Sequence, residues 1–261
     1  MSARLAGAIA ALLLACGEAG AQDFASPWSA TEPAAVTLLE HGLPGAQPGS
    51  SLEFIGGRWL GLEGLETRAL GVATGWRSAR FAAGASSTGD AELGWTSAAI
   101  AAGASQGNAG AALRAVARRG RAPLDGGRRD DGIEAGAGAR LRAAPNLELW
   151  ASAPQLWVDG ASPPLARGLV LGGVLSASDV TLWIARESVP LGLGDDLHAS
   201  HAAGLGWSVA GVTLRFEARD QPLRGAIAIA AGAGPVEVAA RVENHPVAGE
   251  TTHLALRWRR P

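Results

Sequence analysis

The residues with which this chain could do chemistry are few: five histidines, one cysteine, and arginines and glutamates spread along its length. His198-Ala199-Ser200-His201 is the one dense histidine cluster, with Asp195 and Asp196 beside it. An i, i+3 pair shares a face on a helix, but this cluster falls where a loop runs into a strand. A metal site there would draw a third ligand from an aqueous loop, so the cluster reads as solvated and no metal is expected. His245 and His253 flank a closing turn and read as hairpin residues, with His253 facing inward. No nucleophile elbow or phosphate loop occurs. The run Gly103 to Gly110 lacks the strand-loop-helix setting that nucleotide binding needs. The sequence implies no cofactor, no catalytic residue and no enzyme; an outer-membrane hydrolase stands only as a third reading.

The charged residues sit in a pattern. Arg140, Arg215, Glu217, Arg241, Glu243, His253 and Arg257, with Arg114, Arg142, Arg219, Glu134, Glu148 and Glu237, occupy alternate positions in segments whose other positions are apolar. Val236, Val238, Ala240 and Val242 alternate with Glu237, Ala239, Arg241 and Glu243. Val212, Leu214, Phe216 and Ala218 alternate with Thr213, Arg215, Glu217 and Arg219. Ile133 to Arg142 and His253 to Trp258 repeat the pattern. Successive side chains on a strand point to opposite faces, so each segment has one greasy wall and one polar or small wall. A soluble β-sandwich also alternates. Here, however, strand-length segments run from about Ser51 to Trp258, and the apolar face is Ala, Val, Leu and Gly with little bulk to fill a packed core. Apolar-out, polar-in segments separated by turns are the pattern of an outer-membrane barrel, whose charged side chains form the lumen wall. Opposite charges on that wall are expected to pair across strands; the alternative is an anion-attracting pore lining.

Composition agrees. Charged residues are 18% of the 261 and aromatics 5%, with nine Trp and no Tyr, against roughly 25% charged for a soluble domain. The basic residues are all Arg, and the net charge of -2 gives no case for a nucleic-acid partner. One Cys excludes a disulfide framework. Arg4, the apolar run Leu5 to Ala15 and Ala19-Gly20-Ala21 form an export signal over 1–21. A lipidated Cys16, after Leu13-Leu14-Ala15, is the competing reading. No later apolar run approaches the length of a membrane helix, so a membrane-spanning mature chain must close into a barrel.

Fourteen strands are expected: Ser51–Gly57, Thr67–Trp76, Ala79–Ser87, Ala91–Ala102, Ala109–Arg118, Ile133–Ala143, Leu147–Leu156, Arg167–Ser176, Val180–Glu187, Ser200–Val209, Val212–Arg219, Gly225–Ala231, Val236–Glu243 and Thr252–Trp258. Twelve is the alternative. Tight turns are expected at Pro145-Asn146, Ser178-Asp179 and Gly234-Pro235, and the longest loops at Arg119–Gly132, Asp159–Ala166 and Pro190–Ala199. Arg118-Arg119-Gly120-Arg121 and Arg128-Arg129-Asp130-Asp131 fall in the first of these, solvated or set to meet lipopolysaccharide phosphates. Trp59, Trp76, Trp95, Trp207 and Trp258 lie near strand ends and are expected at the membrane interface; Trp150 and Trp183 share the polar face. Before the first strand, Ser29 to Gly42 reads as a short helix with Thr31 as N-cap and Gly42 as stop. It would sit in the lumen or lie against the rim.

Three stretches also resemble a known family. Thr31-Glu32-Pro33-Ala34-Ala35-Val36-Thr37-Leu38-Leu39 resembles the N-P-A-x-L helix that precedes the first strand of fatty-acid-transporter-like (FadL-like) barrels, with Glu32 in place of Asn. Ser51 to Leu65 resembles their first strand and its Gly/Leu-rich turn. Asn244-His245-Pro246-Val247-Ala248-Gly249-Glu250-Thr251-Thr252-His253-Leu254-Ala255-Leu256 resembles the closing hairpin of PorV/PorQ-type outer-membrane proteins. The resemblance implies a fourteen-strand outer-membrane barrel; members of that family act in type IX secretion or resemble importers of hydrophobic molecules. Trp258 stands where such barrels end on an aromatic residue, with Arg259-Arg260-Pro261 following. The chain is thus expected to be an all-β, antiparallel transmembrane barrel over 50–261, after a signal over 1–21 and a helical segment over 22–49. It is expected to be monomeric, seated in the lipid bilayer, and to pass or bind small, hydrophobic molecules. The alternative is a structural or secretion-accessory barrel whose longer loops bind an envelope protein.

Overall fold

The computed structural model describes residues 35–44, 49–58, 66–89, 94–121, 129–160, 168–190, 197–220, 223–245 and 249–260. The export signal, Cys16, residues 22–34 and Trp59 lie outside them.

Fourteen strands form: β1 (Ser50–Arg58), β2 (Glu66–Trp76), β3 (Ala79–Gly89), β4 (Gly94–Gln106), β5 (Ala109–Arg121), β6 (Arg129–Ala144), β7 (Leu147–Gly160), β8 (Val170–Ala177), β9 (Val180–Pro190), β10 (Leu197–Val209), β11 (Val212–Arg219), β12 (Arg224–Ala233), β13 (Val236–His245) and β14 (Gly249–Arg260). Each pairs antiparallel with its sequence neighbours, and β1 pairs with β14 to close the cylinder, Leu52 opposite Trp258. Closure gives every strand a partner on both sides, which is what a sheet needs in lipid, although β7 meets β8 only over its first residues, Leu147 to Ser152. Tight turns at Arg77-Ser78, Gly107-Asn108, Pro145-Asn146, Ser178-Asp179, Ala210-Gly211 and Gly234-Pro235 lie on one rim. Ser50 and Arg260 are partners on that same rim, and the longer connections lie on the other.

The alternation read from the sequence is the alternation of the wall. Leu52, Phe54, Leu70, Val72, Ile100, Leu113, Phe216, Ile227, Ile229, Val238, Leu254 and Leu256 point outward and are exposed, while Arg215, His253 and Arg257 on neighbouring positions are buried inside. The exterior is therefore the apolar surface. Its two borders differ. On the short-turn rim Trp76, Trp207 and Trp258 face outward. On the loop rim the outward positions carry Arg58, Arg68, Arg119 and Arg186, with Trp157 among them. From Arg68 to Trp76 on β2, the band between these borders matches the roughly nine to eleven residues a tilted strand needs to span a bilayer.

Several boundaries differ from expectation. Strands extend further toward the loop rim than hydropathy shows, because pairing continues beyond the apolar band. Arg118–Arg121 thus belong to β5 and Arg129–Asp131 to β6, paired across the hairpin rather than in a loop. Trp95 does not face outward: β4 begins at Gly94, its outward positions are Thr96, Ala98 and Ile100, and Trp95 falls on the inward register with Ser97, Ala99 and Ala101. β8 starts at Val170 rather than Arg167. β7 runs to Gly160 through an irregularity where Ala137 pairs with Ala153 but Ala135 with Trp157. Pro154 lies in that step; it has no N–H to give a ladder, and proline inside sheets is confined to such bulges.

The helix α1 (Ala35–His41) lies inside the barrel, packed on the walls of β1–β7. A helix this short is unstable alone, and its packing holds it: Ala35, Thr37, Leu38, Leu39 and Glu40 are all buried. The wall beneath it is small or branched, with Ile55, Ala69, Ala73, Ala82, Ala99, Ala101, Ala112 and Val116 in one apolar cluster with Ala35, Leu38 and Leu39. Gly42 ends it at φ 62°, its N–H donating to the Leu38 carbonyl at 2.9 Å. Helix in the lumen, not against the rim, is thus the arrangement found.

Candidate functional site: the lumen

A fourteen-strand barrel is wider than its own side chains can fill, since about eight strands already make an interior that side chains just occupy. This lumen is filled in two ways. The side formed by β1–β5 carries small residues and receives α1. The side formed by β10–β14 carries long charged residues that reach toward one another.

On the charged side Arg241 binds Glu217 at 2.7 Å and Glu243 at 2.8 Å. Arg224 adds a second contact to Glu243 at 3.2 Å, and Arg219 reaches Glu187 at 3.5 Å. Arg257 is wholly buried between Glu53 at 3.6 Å and Glu237 at 3.8 Å, and Glu237 also holds Arg259. Glu53 faces both ways: its Oε1 accepts the Ala35 N–H of the helix at 2.8 Å. The helix is thereby tied to the charged wall. Arg215 lies beside Glu217 and Glu237. His253 is buried on the inner face of β14, opposite Arg241 in the ladder and against Gly57, where a Cβ would overlap its ring.

A second network holds the middle of the helix side. Arg114 donates to Glu134 at 2.7 Å and to the Pro154 carbonyl at 2.6 Å, with Arg118 at 3.5 Å and Gln155 at 3.0 Å on the same Glu134 carboxylate. Arg140 bridges Glu148 at 2.7 Å and the Pro44 carbonyl at 2.9 Å, and Ser152 donates to the His41 carbonyl. Three side chains thus grip the helix and its exit: Glu53 at its start, Ser152 at its end and Arg140 just beyond. Leu43, Trp150 and Val170 pack together there, the Trp150 ring 6.4 Å from that of His41.

Arg140, Arg215, Glu217, Arg241, Glu243, His253 and Arg257, singled out from alternation, all lie on the inner wall. The structure brings Glu217, Arg241 and Glu243 into direct contact, joins Arg257 to Glu53, and leaves Arg140 in a separate network. Of the interface tryptophans, Trp76, Trp207 and Trp258 face outward, Trp95 does not, and Trp59 lies outside the described residues. Trp150 and Trp183 point inward, their rings against Gly172 and Gly204, where a Cβ would collide with them.

Sequence reading missed the partners that tertiary closure supplies: Glu53, Glu187 and Gln155 within these networks. It also missed Asp220. His201 faces outward, and its ring Nδ1 lies 2.5 Å from Asp220 Oδ2, while its backbone N–H donates to the same carboxylate. Partial burial of the Asp220 carboxyl opposes its ionisation. The His201 backbone and side-chain hydrogen bonds outweigh that and hold it below its ordinary value. Among the described residues no group of three His, Cys, Asp or Glu is placed to hold a metal.

No family model and no curated protein matches the chain. Solved structures do. The Acinetobacter baumannii outer membrane protein Omp33 aligns over 82% of this chain and 98% of its own, with TM-score 0.51 and 8% identity. A mutant of the Rh. blastica porin aligns over 81% and 99% at TM-score 0.44 and 10% identity. The KdgM porin in complex with disordered oligogalacturonate aligns over 80% and 98% at TM-score 0.42 and 5% identity. At such identities the likeness to Omp33 is one of fold: a closed antiparallel barrel.

Proposed function

We propose that the chain is a porin-like barrel of a bacterial outer membrane that passes or binds small molecules and performs no chemistry of its own. The observation that carries this reading is the inversion of the wall, apolar outside and charged within, around a lumen that the described residues fill only in part. The fold it shares with Omp33, described as an outer membrane protein, supports the location. The unequal borders support an orientation. Tryptophans suit the interface beside the short turns, and Arg58, Arg68, Arg119 and Arg186 suit lipopolysaccharide phosphates beside the longer loops.

Polar solutes suit the interior better than the hydrophobic cargo expected from the sequence. The apolar part of the inner wall lies under α1, whereas the recess that stands open, on the β6–β11 side, is lined by Arg142, Glu148, Thr181, Ser208, Thr213 and Arg215 among others. A hydrophobic cargo is the second reading. Its support is the apolar seat of Ile55, Ala69, Ala99 and Val116, which would line the lumen if the helix left, together with the resemblance of the helix and closing hairpin to fatty-acid-transporter-like and PorV/PorQ-type barrels. Liposome swelling tests the function. Barrels verified as folded by heat-modifiable migration should admit small sugars and amino acids; impermeable liposomes holding folded protein would reject the passage reading.

A further inference from the structure

On the β6–β11 side the inner walls leave a recess of about 280 Å³ that reaches the short turn at Pro145-Asn146. Ligand pockets for drug-sized molecules span about 300–1,000 Å³, so this one suits something smaller. Its lining includes the guanidiniums of Arg142 and Arg215, the Glu148 carboxylate, the indole of Trp183, and the Thr181, Ser208 and Thr213 hydroxyls.

The charges there are unevenly committed. Glu148, the carboxylate in the lining, is taken by Arg140 at 2.7 Å. Arg215 lies beside Glu217 and Glu237. Arg142 has no carboxylate partner among the described residues, and Arg140, two positions along the same inner face, adds positive charge next to it. Arg142 is thus a cation lining the recess, opposite Glu148 in the β6–β7 ladder but with no ion pair of its own among the described residues. A planar guanidinium fork matches a carboxylate with two parallel hydrogen bonds. Trp183 supplies the other half of the site. Its ring is fixed against Gly204, and no hydrogen-bond partner meets its indole nitrogen among the described residues. Val174 borders the same space.

We propose that this recess binds small carboxylates that carry a flat apolar part, Arg142 taking the carboxylate and Trp183 with Val174 the apolar part. The proposal deepens the reading of the lumen as a solute path by naming the solute class. Trp150, packed on Leu43 at the helix exit, is the next inward residue of β7 after Glu148 of the lining, so the bound solute would sit on the short-turn side of that contact.

The test uses the full chain folded in detergent at low ionic strength, titrated with sodium benzoate and with benzamide, its neutral isostere, and read by calorimetry and tryptophan emission. Benzoate should bind about tenfold more tightly than benzamide, the difference expected of one charge-assisted pair. Arg142→Gln should remove that preference and leave benzamide binding where it was. Trp183→Leu should weaken both ligands alike. Equal affinity for the two ligands in the wild type, absence of saturable benzoate binding, or an undiminished preference in folded Arg142→Gln would each overturn the site. The wild-type comparison decides the matter without any variant. Liposome permeability is read separately. A permeable barrel indifferent to benzoate keeps the passage reading and loses this site; an impermeable barrel that prefers benzoate does the reverse.

Discussion

Arg241 stands between two carboxylates, Glu217 and Glu243, on the inner wall. Removing the cation takes the 2.7 Å ion pair from Glu217 and leaves Glu243 to Arg224 alone, and stranding a buried ion-pair partner costs about 3–5 kcal/mol. Because the described residues fill this lumen only in part, Arg241→Ala should destabilise the barrel by about 3 kcal/mol, read as a lowered urea midpoint of the folded band in lipid. At the outer rim the Asp220 carboxyl titrates below its ordinary value because of His201. The carboxyl is more acidic folded than unfolded, so its contribution is fully present above the ordinary value of 3.8 and is lost as pH falls through the lowered native value. The unfolding midpoint should therefore drop as pH falls below about 4. Asp220→Asn should flatten that part of the profile, and an unchanged acid limb would remove this pair from the account.

The helix is the element on which access to the lumen turns. It has too few residues to persist alone, and its apolar side chains are matched by a wall of alanines that leaves room for it. Glu53, Ser152 and Arg140 hold its two ends from three different strands. Deleting residues 35–41 should leave a closed barrel, since none of its β-ladders uses the helix, and should raise single-channel conductance in planar bilayers. Conductance equal to that of the intact chain would mean that solutes already pass beside the helix. The β6–β7 irregularity is the other place where an element departs from regularity. Pro154 breaks the ladder there, and its carbonyl is recovered by Arg114.

For the whole molecule the decisive property is which face is wet. Ile229 sits mid-strand on β12, outward and 47% exposed. In water that would be a tolerated surface residue, and an arginine there would be harmless. In lipid, Arg at the bilayer midplane costs about 2–4 kcal/mol. Ile229→Arg should lower stability by that amount in bilayers, checked by urea unfolding in liposomes, whereas a null effect would place this face outside the hydrocarbon.

The alternation in β11, β13 and β14 was legible in residue order because a strand shows its two faces at every second position, so Arg215, Arg241, His253 and Arg257 could be assigned to one wall without coordinates. The two-residue turns at Pro145-Asn146, Ser178-Asp179 and Gly234-Pro235 were legible for the same local reason. Strand ends were not, because Arg118–Arg121 and Arg129–Asp131 are polar on both sides and only pairing across the hairpin makes them strand. Trp95 misled because its inward register depends on where β4 starts, which no side chain announces. Local sequence thus determined that the chain makes strands with one greasy and one charged face. Only the closed cylinder decided which Glu meets which Arg, that the helix goes inside, and that an arginine and a tryptophan border an open recess, since these contacts join residues far apart in the chain and exist only once β1 has found β14.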